Sequence, residues 1–312
     1  MNINSGLSIV LTYYKGEKYI FHCLDSIFRS YKQSRQLLKK EVVVVIDSME
    51  DAERIADEIT KRYLAEDILL IINPENLGVA NSRNVGLKRT QYSYYTIIDQ
   101  DDYVKDNYFS TLEEQLDPSV ALHIINGVFL YHEQQKEIPI YYIQPDFRVE
   151  SILMQTTTIY TPGTVIFNSN FINKDNAFID ASAEFKGADD WAAYLDIIFR
   201  LDRVNFKFIK EKIFVYRLHQ TNYSNNTGEM VFSSIAVLDY LAKKYTTHKA
   251  LVSRAKERYH FLYALKVEKQ RSLPVFRKFP GIFIFHYFTS LMKRDRINRL
   301  IFRLDKIRRG IK

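Results

Sequence analysis

Asp99, Asp101 and Asp102 follow directly on the apolar run 94–98, so three carboxylates project from one expected strand end. Oxygen donors at that density suit a hard divalent cation, Mn²⁺ or Mg²⁺. Such an ion takes one or two protein carboxylates and completes its shell with substrate phosphate oxygens and water. A diphosphate is therefore the expected ligand. The same residues also suit a turn that caps the helix expected to start near Lys105. Asp47 closes another apolar run, and Thr12-Tyr13-Tyr14-Lys15-Gly16 follows a third. A second acidic pair, Asp189-Asp190, precedes Trp191 and opens a helical pattern, where acids are favoured by the helix dipole whether or not they do chemistry.

The elements that carry these residues alternate. Runs 7–13, 42–47, 68–73 and 94–99 are short and rich in β-branched and aromatic residues, which predicts strands. Between them 17–30, 51–64 and 79–89 have helical periodicity. This βαβα order predicts an α/β fold with a mostly parallel central sheet flanked by helices, whose ligands sit beyond the carboxyl ends of the strands. Asp47, Asp99, Asp101 and Asp102 all fall there. No GxGxxG or GxxxxGK[ST] follows any of these strands, which argues against dinucleotide oxidoreductases and P-loop enzymes. Further along, strands are expected at 121–131, 138–143, 164–167, 206–210 and 213–217, and helices at 105–116 and 189–201. Beyond Gly228 the pattern is helical.

Ser8-Ile-Val-Leu-Thr-Tyr-Tyr-Lys-Gly-Glu-Lys-Tyr-Ile20, followed by Cys23-Leu-Asp-Ser-Ile27, resembles the opening of family 2 glycosyltransferases of the GT-A (Rossmann-like) fold. Asn76-Leu-Gly-Val-Ala-Asn-Ser-Arg-Asn-Val-Gly86 and Ile98-Asp-Gln-Asp-Asp-Tyr103 are similar to the next two signatures of that family, in the same order. The resemblance covers about residues 6–220, most closely to about 110. It implies an inverting, metal-dependent hexosyl- or N-acetylhexosaminyltransferase that uses a nucleotide-sugar, UDP first. By the same resemblance Thr12 and Asp47 contact the base, Arg83 lies near the diphosphate and Asn84 shapes that loop. Asp101 becomes the principal metal ligand, Asp99 contacts ribose or metal waters, and Asp102 supports the site. Gly187-Ala-Asp-Asp-Trp191 resembles the later acidic motif, making Asp190 the catalytic base, with Asp189 beside it and Trp191 on the sugar or acceptor pocket. Tyr216-Arg-Leu-His219 resembles a segment whose His reaches the metal or diphosphate. Leu11, Tyr14 and Ile46 depart from the Pro, Asn and Asp usual in the family, which bears on the shape of the base pocket.

Charge divides the chain differently. The whole carries 44 Lys and Arg against 37 acids, a net +7, in 312 residues. Residues 266–312 alone hold 14 basic against 3 acidic residues, +11, leaving −4 on residues 1–265. Ile297, Leu300, Ile301, Leu304, Ile307 and Ile311 fall on one helical face, with Arg294, Arg296, Arg299, Arg303, Lys306 and Arg309 largely elsewhere, and 279–288 is rich in phenylalanine. An amphipathic basic helix of this kind predicts attachment to an anionic membrane surface rather than to nucleic acid, with packing on the catalytic domain or another subunit as the other reading. The expected organisation is a catalytic domain at 1–225, with a nucleotide-binding half at 1–117 and an acceptor-side half at 118–225. A helical basic region follows at 226–312. One cysteine, Cys23, excludes an internal disulfide. No signal peptide or spanning helix is expected, so the protein is placed in the cytoplasm, on the inner face of the cell membrane. There a glycan or lipid-linked acceptor of surface-polysaccharide assembly would be met. Competing readings are a sugar nucleotidyltransferase and a non-catalytic scaffold that binds membrane or polyanion through its tail.

Overall fold

The computed structural model describes residues 5–154, 159–175, 177–178, 185–201, 204–220, 222, 226–268, 277–282 and 294–311. The chain divides into two compact units, each built from separated segments. The first is Met1–Ile140, Tyr160–Asp180 and Val204–Leu218; the second is Tyr141–Ile159, Ala181–Arg203 and His219–Lys312.

One sheet organises the first unit. Strands β1 (Gly6–Tyr13), β2 (Lys39–Ile46), β3 (Ile68–Ile72) and β4 (Tyr94–Asp99) are parallel, in the order β3-β2-β1-β4. β1 is buried along its whole length, which is why it reads as a continuous apolar run instead of alternating. Helices α1 (Glu17–Gln33), α2 (Ala52–Arg62) and α3 (Val79–Leu87) connect these strands. α1 buries Ile20, Cys23, Leu24, Ile27 and Phe28, the i, i+3, i+4 spacing of one helix face. Gly86 lets α3 approach the sheet, since a Cβ there would lie 2.5 Å from Val10 Cγ1 and 3.0 Å from Val45 Cγ2.

Beyond β4 the sheet becomes mixed. β8 (Val165–Asn168) runs antiparallel to β4 and to β6 (Leu122–Tyr131), and β6 runs parallel to β9 (Phe206–Leu218). β5 (Tyr103–Val104) closes the far edge on β9, and β7 (Lys136–Pro139) pairs with β6. Helix α4 (Tyr108–Gln115) follows β5. Two expected strands, 206–210 and 213–217, are one. The polar Lys210-Glu211 between them is accommodated by a register shift opposite Asn126, whose side-chain amide donates to the Lys210 carbonyl at 3.2 Å. The strand expected at 138–143 instead ends at Pro139. β5 escapes the sequence pattern because two residues carry no periodicity.

The second unit is helical. It contains α5 (Val149–Leu153), α6 (Asp189–Arg200), α7 (Thr227–Lys244), α8 (Lys249–Lys266) and α9 (Arg294–Arg308). Asp196 ties α6 to the end of α7, accepting from Lys244 Nζ at 2.6 Å and Tyr245 Oη at 2.8 Å. No helix among the described residues is long and apolar enough to cross a membrane. The basic helix expected near the end of the chain is α9, but its apolar stripe is divided: Ile311 is buried, whereas Leu304 and Ile307 are exposed. Of the aromatic stretch 279–288, residues 283–288 lie outside the described residues, as do the side chains of Ile297 and Leu300.

Candidate active site

Parallel register brings the carboxyl ends of three strands level. Thr12 of β1 stands opposite Asp99 of β4, Tyr13 opposite Ile46 of β2, and Asp47 follows directly. The Asp47 amide donates to the Tyr13 carbonyl at 2.8 Å. Thr12, Asp47, Arg83, Asn84, Asp99, Asp101 and Asp102 all belong to the first unit.

The three acids after β4 end in different surroundings. Asp102 is buried; its Oδ1 accepts from the Arg217 amide at 2.9 Å and its Oδ2 from Thr161 Oγ1 at 3.3 Å. Burial pushes its carboxyl well above the usual carboxylate range, and the negative charges of Asp101 and Asp99 add to the effect. Asp99 is partly exposed and accepts from Arg83, whose buried guanidinium lies 2.7 Å away. Asp101 is half-buried at the turn between them.

Several residues expected to touch the nucleotide also carry the architecture. Asp47 is buried, with Oδ1 accepting from Asn73 Nδ2 at 2.7 Å and the Leu77 amide at 2.8 Å, and Oδ2 accepting from the Gly78 amide at 2.9 Å. It thereby fixes the turn into α3, where Gly78 holds φ +79°. Asn84 clasps the backbone of Phe178 in both directions, at 2.7 and 3.0 Å, and the Phe178 ring lies 5.2 Å from the Arg83 guanidinium. α3 thus presents Arg83 from a helix fixed at both ends.

Residue type alone does not reveal three further members. Gln100 pairs with the backbone of Tyr14, accepting from its amide at 3.0 Å and donating to its carbonyl at 2.9 Å, which fastens the β1 loop to the acidic turn. Asp51 accepts from Tyr13 Oη and from Ser48 Oγ. Arg217 reaches His22 Nδ1 at 3.0 Å and lies over the rings of Tyr19 and Tyr103 at 4.8 and 5.2 Å. Burial and that guanidinium hold the imidazole below its ordinary pKa. The one available signal was position, since each of these residues lies within or beside a run already singled out.

Asp189, Asp190, Trp191 and His219 belong to the second unit. Asp190 Oδ1 accepts from the Trp191 amide at 2.6 Å in the first turn of α6, and Asp189 beside it is buried. Trp191, expected on a sugar or acceptor pocket, is a packed group: it is 9% exposed, donates Nε1–H to the Ile152 carbonyl at 3.1 Å and lies against Tyr259. The His219 amide donates to Asn222 Oδ1 at 2.5 Å.

A divalent cation fits the acidic turn by the chemistry of its donors. The charges of Asp99 and Asp101 reach Asp102 strongly enough to raise it, so a cation beside them would relieve that repulsion. Among the described residues no group of three or more His, Cys, Asp or Glu is placed to hold a metal ion by itself.

The sequence profile described as Glycosyl transferase family 2 matches residues 8–174, more than half of the chain. The chain belongs to glycosyl transferase family 2. It is similar to glycosyltransferase GlyG of Streptococcus pneumoniae, 30% identical over 166 residues, 53% of this chain and 52% of GlyG. The family 2 chain thus spans about half the length of that relative. Among solved structures, S. aureus TarS 1-349 in complex with UDP-GlcNAc aligns with a TM-score of 0.59 at 14% identity, covering 84% of this chain and 73% of that one. The mannosyltransferase PcManGT of Pyrobaculum calidifontis, in complex with GDP-Man and Mn²⁺, aligns at 0.56 and 14% identity over 95% and 83%. These likenesses establish the fold, and the GT-A expectation is borne out. Family membership also removes the sugar nucleotidyltransferase reading.

Proposed function

We propose that this protein is an inverting glycosyltransferase that moves a sugar, hexosyl or N-acetylhexosaminyl, from a nucleotide-sugar to a hydroxyl of a glycan or lipid-linked acceptor in surface-polysaccharide assembly. The observation that carries the reading is the level alignment of Thr12, Asp47 and Asp99 at one sheet end, with Arg83 held at Asp99. UDP is the first donor nucleotide to test, supported by the UDP-GlcNAc complex of TarS. The catalytic domain is assigned to 1–225, and peripheral attachment at the inner membrane face to 266–312.

In this reading the Asp190 carboxylate takes the proton of the acceptor hydroxyl as its oxygen forms a bond to the sugar anomeric carbon. The bond from that carbon to the diphosphate oxygen breaks on the opposite face, and the electron pair leaves with the nucleoside diphosphate. A positioned carboxylate contributes roughly 10²- to 10⁴-fold to such a step. Arg83 stabilises the charge growing on the leaving diphosphate. Thr12 and Asp47 orient the base; Asp47 keeps capacity at Oδ2, where one donor is in place. Mn²⁺ or Mg²⁺ held by Asp101 and Asp99, with His219 as the further ligand expected from the resemblance, would neutralise diphosphate charge when bound.

The test is a panel of nucleotide-sugars in Mn²⁺, read as nucleoside diphosphate release. One donor should turn over, and its turnover should depend on Asp190. Absence of release from every donor would favour the non-catalytic scaffold.

A further inference from the structure

α9 is held on one side and open on the other. Asp305 accepts from Tyr142 Oη at 2.7 Å and from Arg309 Nε at 2.8 Å, and Ile311 beyond it is buried. Arg303, Leu304, Ile307 and Arg308 are all exposed, with Leu304 at 56% and Ile307 at 74%. At 3.6 residues per turn, Ile307 and Leu304 are neighbours on the helix surface, about 60° apart, with Arg303 about 40° before the one and Arg308 about 40° beyond the other. Asp305 projects from the far side. The open face is therefore a small apolar centre between two guanidinium groups.

We propose that this face of α9 docks on an anionic lipid bilayer, with Leu304 and Ile307 entering the headgroup boundary and Arg303 and Arg308 meeting lipid phosphates. This rests on the peripheral attachment proposed above and narrows it to one helix face and one lipid charge. Two apolar side chains are too few for a stable protein interface, which buries roughly 800 Å² per partner. They suffice for an interfacial helix, whose binding adds electrostatic attraction to modest apolar burial. Charge complementarity points the same way, since residues 266–312 carry +11.

Flotation of the full-length protein tests this, using vesicles of phosphatidylcholine alone and of equimolar phosphatidylcholine and phosphatidylglycerol. The wild type should float with the anionic vesicles only and be released by salt. Arg303→Gln with Arg308→Gln should lower partitioning roughly 30-fold, each basic group near an anionic surface being worth about 5-fold. Leu304→Ser with Ile307→Ser should lower it by roughly 10-fold or more. All four sites are exposed, so thermal unfolding and nucleotide release with a soluble acceptor should stay at wild-type values. Flotation by either double variant at the wild-type level overturns the proposal. So does a wild-type dimer that Leu304→Ser with Ile307→Ser converts to monomer without loss of flotation. Intact flotation with no turnover on any donor would instead refute the transferase reading and leave the docking face standing.

Discussion

In the first unit Asp99, Asp101 and Asp102 share one turn yet occupy three environments, set by an arginine on α3, by partial exposure, and by the Arg217 amide with Thr161. In the second unit Asp189 and Asp190 share the first turn of α6, where Asp190 accepts from the amide of the next residue, Trp191. Distant parts of the chain therefore differentiate the first set, whereas the second set opens a helix, where its dipole favours acids. A donor site has to discriminate metal, ribose and diphosphate, and needs such differentiation. A general base needs a carboxylate held in place, which a helix start supplies.

The largest effect expected from this contrast is at Asp190. Asp190→Asn keeps the first-turn geometry and removes the proposed base, so turnover should fall roughly 10²- to 10⁴-fold. Donor affinity, measured by calorimetry in Mn²⁺, should stay near wild type. A variant that loses donor affinity would place Asp190 among the binding groups and overturn its proposed role as base.

Next is the response to acid, which belongs to the first unit. His123 is fully buried, and its Nε2 accepts from the Asp117 amide. Burial, together with the positive charge of Lys207, holds its pKa at about 4 against the ordinary 6.5. As the pH falls below 6.5 the unfolded chain takes up the proton first. The contribution of this histidine to stability is thus full above 6.5, is lost between 6.5 and 4, and changes no further below. The loss amounts to about 3 kcal/mol. Trp191 is the only tryptophan and reports on the second unit, so far-UV circular dichroism should lose signal at a higher pH than tryptophan fluorescence. Coincident transitions would mean that the units unfold together.

Much of the first unit is legible in its sequence. β1 to β4 and α1 to α3 are long, periodic and bounded by turn residues, and their acids follow strand ends where ligands bind in such sheets. The partners of those acids are not legible. Nothing about Arg217 or Thr161 marks them as holding Asp102, because the contacts join residues 115 and 59 positions apart. Gln100 is equally silent, since an amide that imitates a backbone pair has no compositional sign. Trp191 is the opposite case: its rarity draws attention, yet its position in α6 buries it. α9 is visible as a basic amphipathic pattern, but only the Asp305 hydrogen bonds decide which part of its apolar stripe is covered.

Asp101 and Asp102 offer a sharper comparison within the first unit. Asp102→Ala leaves the buried Arg217 amide without its acceptor and should destabilise the fold by about 1–3 kcal/mol, seen as a lower denaturation midpoint. Asp101→Ala, one residue away, should leave that midpoint unchanged and weaken Mn²⁺-dependent donor binding. Exchange of the two phenotypes would reverse the roles assigned to these neighbours.

The smallest expected effect separates two roles for the indole. Trp191→Phe keeps an aromatic ring against Tyr259 but removes the Nε1–H that the Ile152 carbonyl accepts from. Loss of this hydrogen bond to a buried carbonyl costs about 1 kcal/mol, measurable by urea unfolding followed with circular dichroism. If the indole only packs the second unit, turnover and the preference among donor sugars stay as in the wild type. If it also shapes the sugar or acceptor pocket, as the family resemblance implies, the preference shifts while stability falls by the same small amount. The ratio of turnover between two donor sugars therefore decides the question, because loss of packing lowers both rates together and a pocket contact changes their quotient.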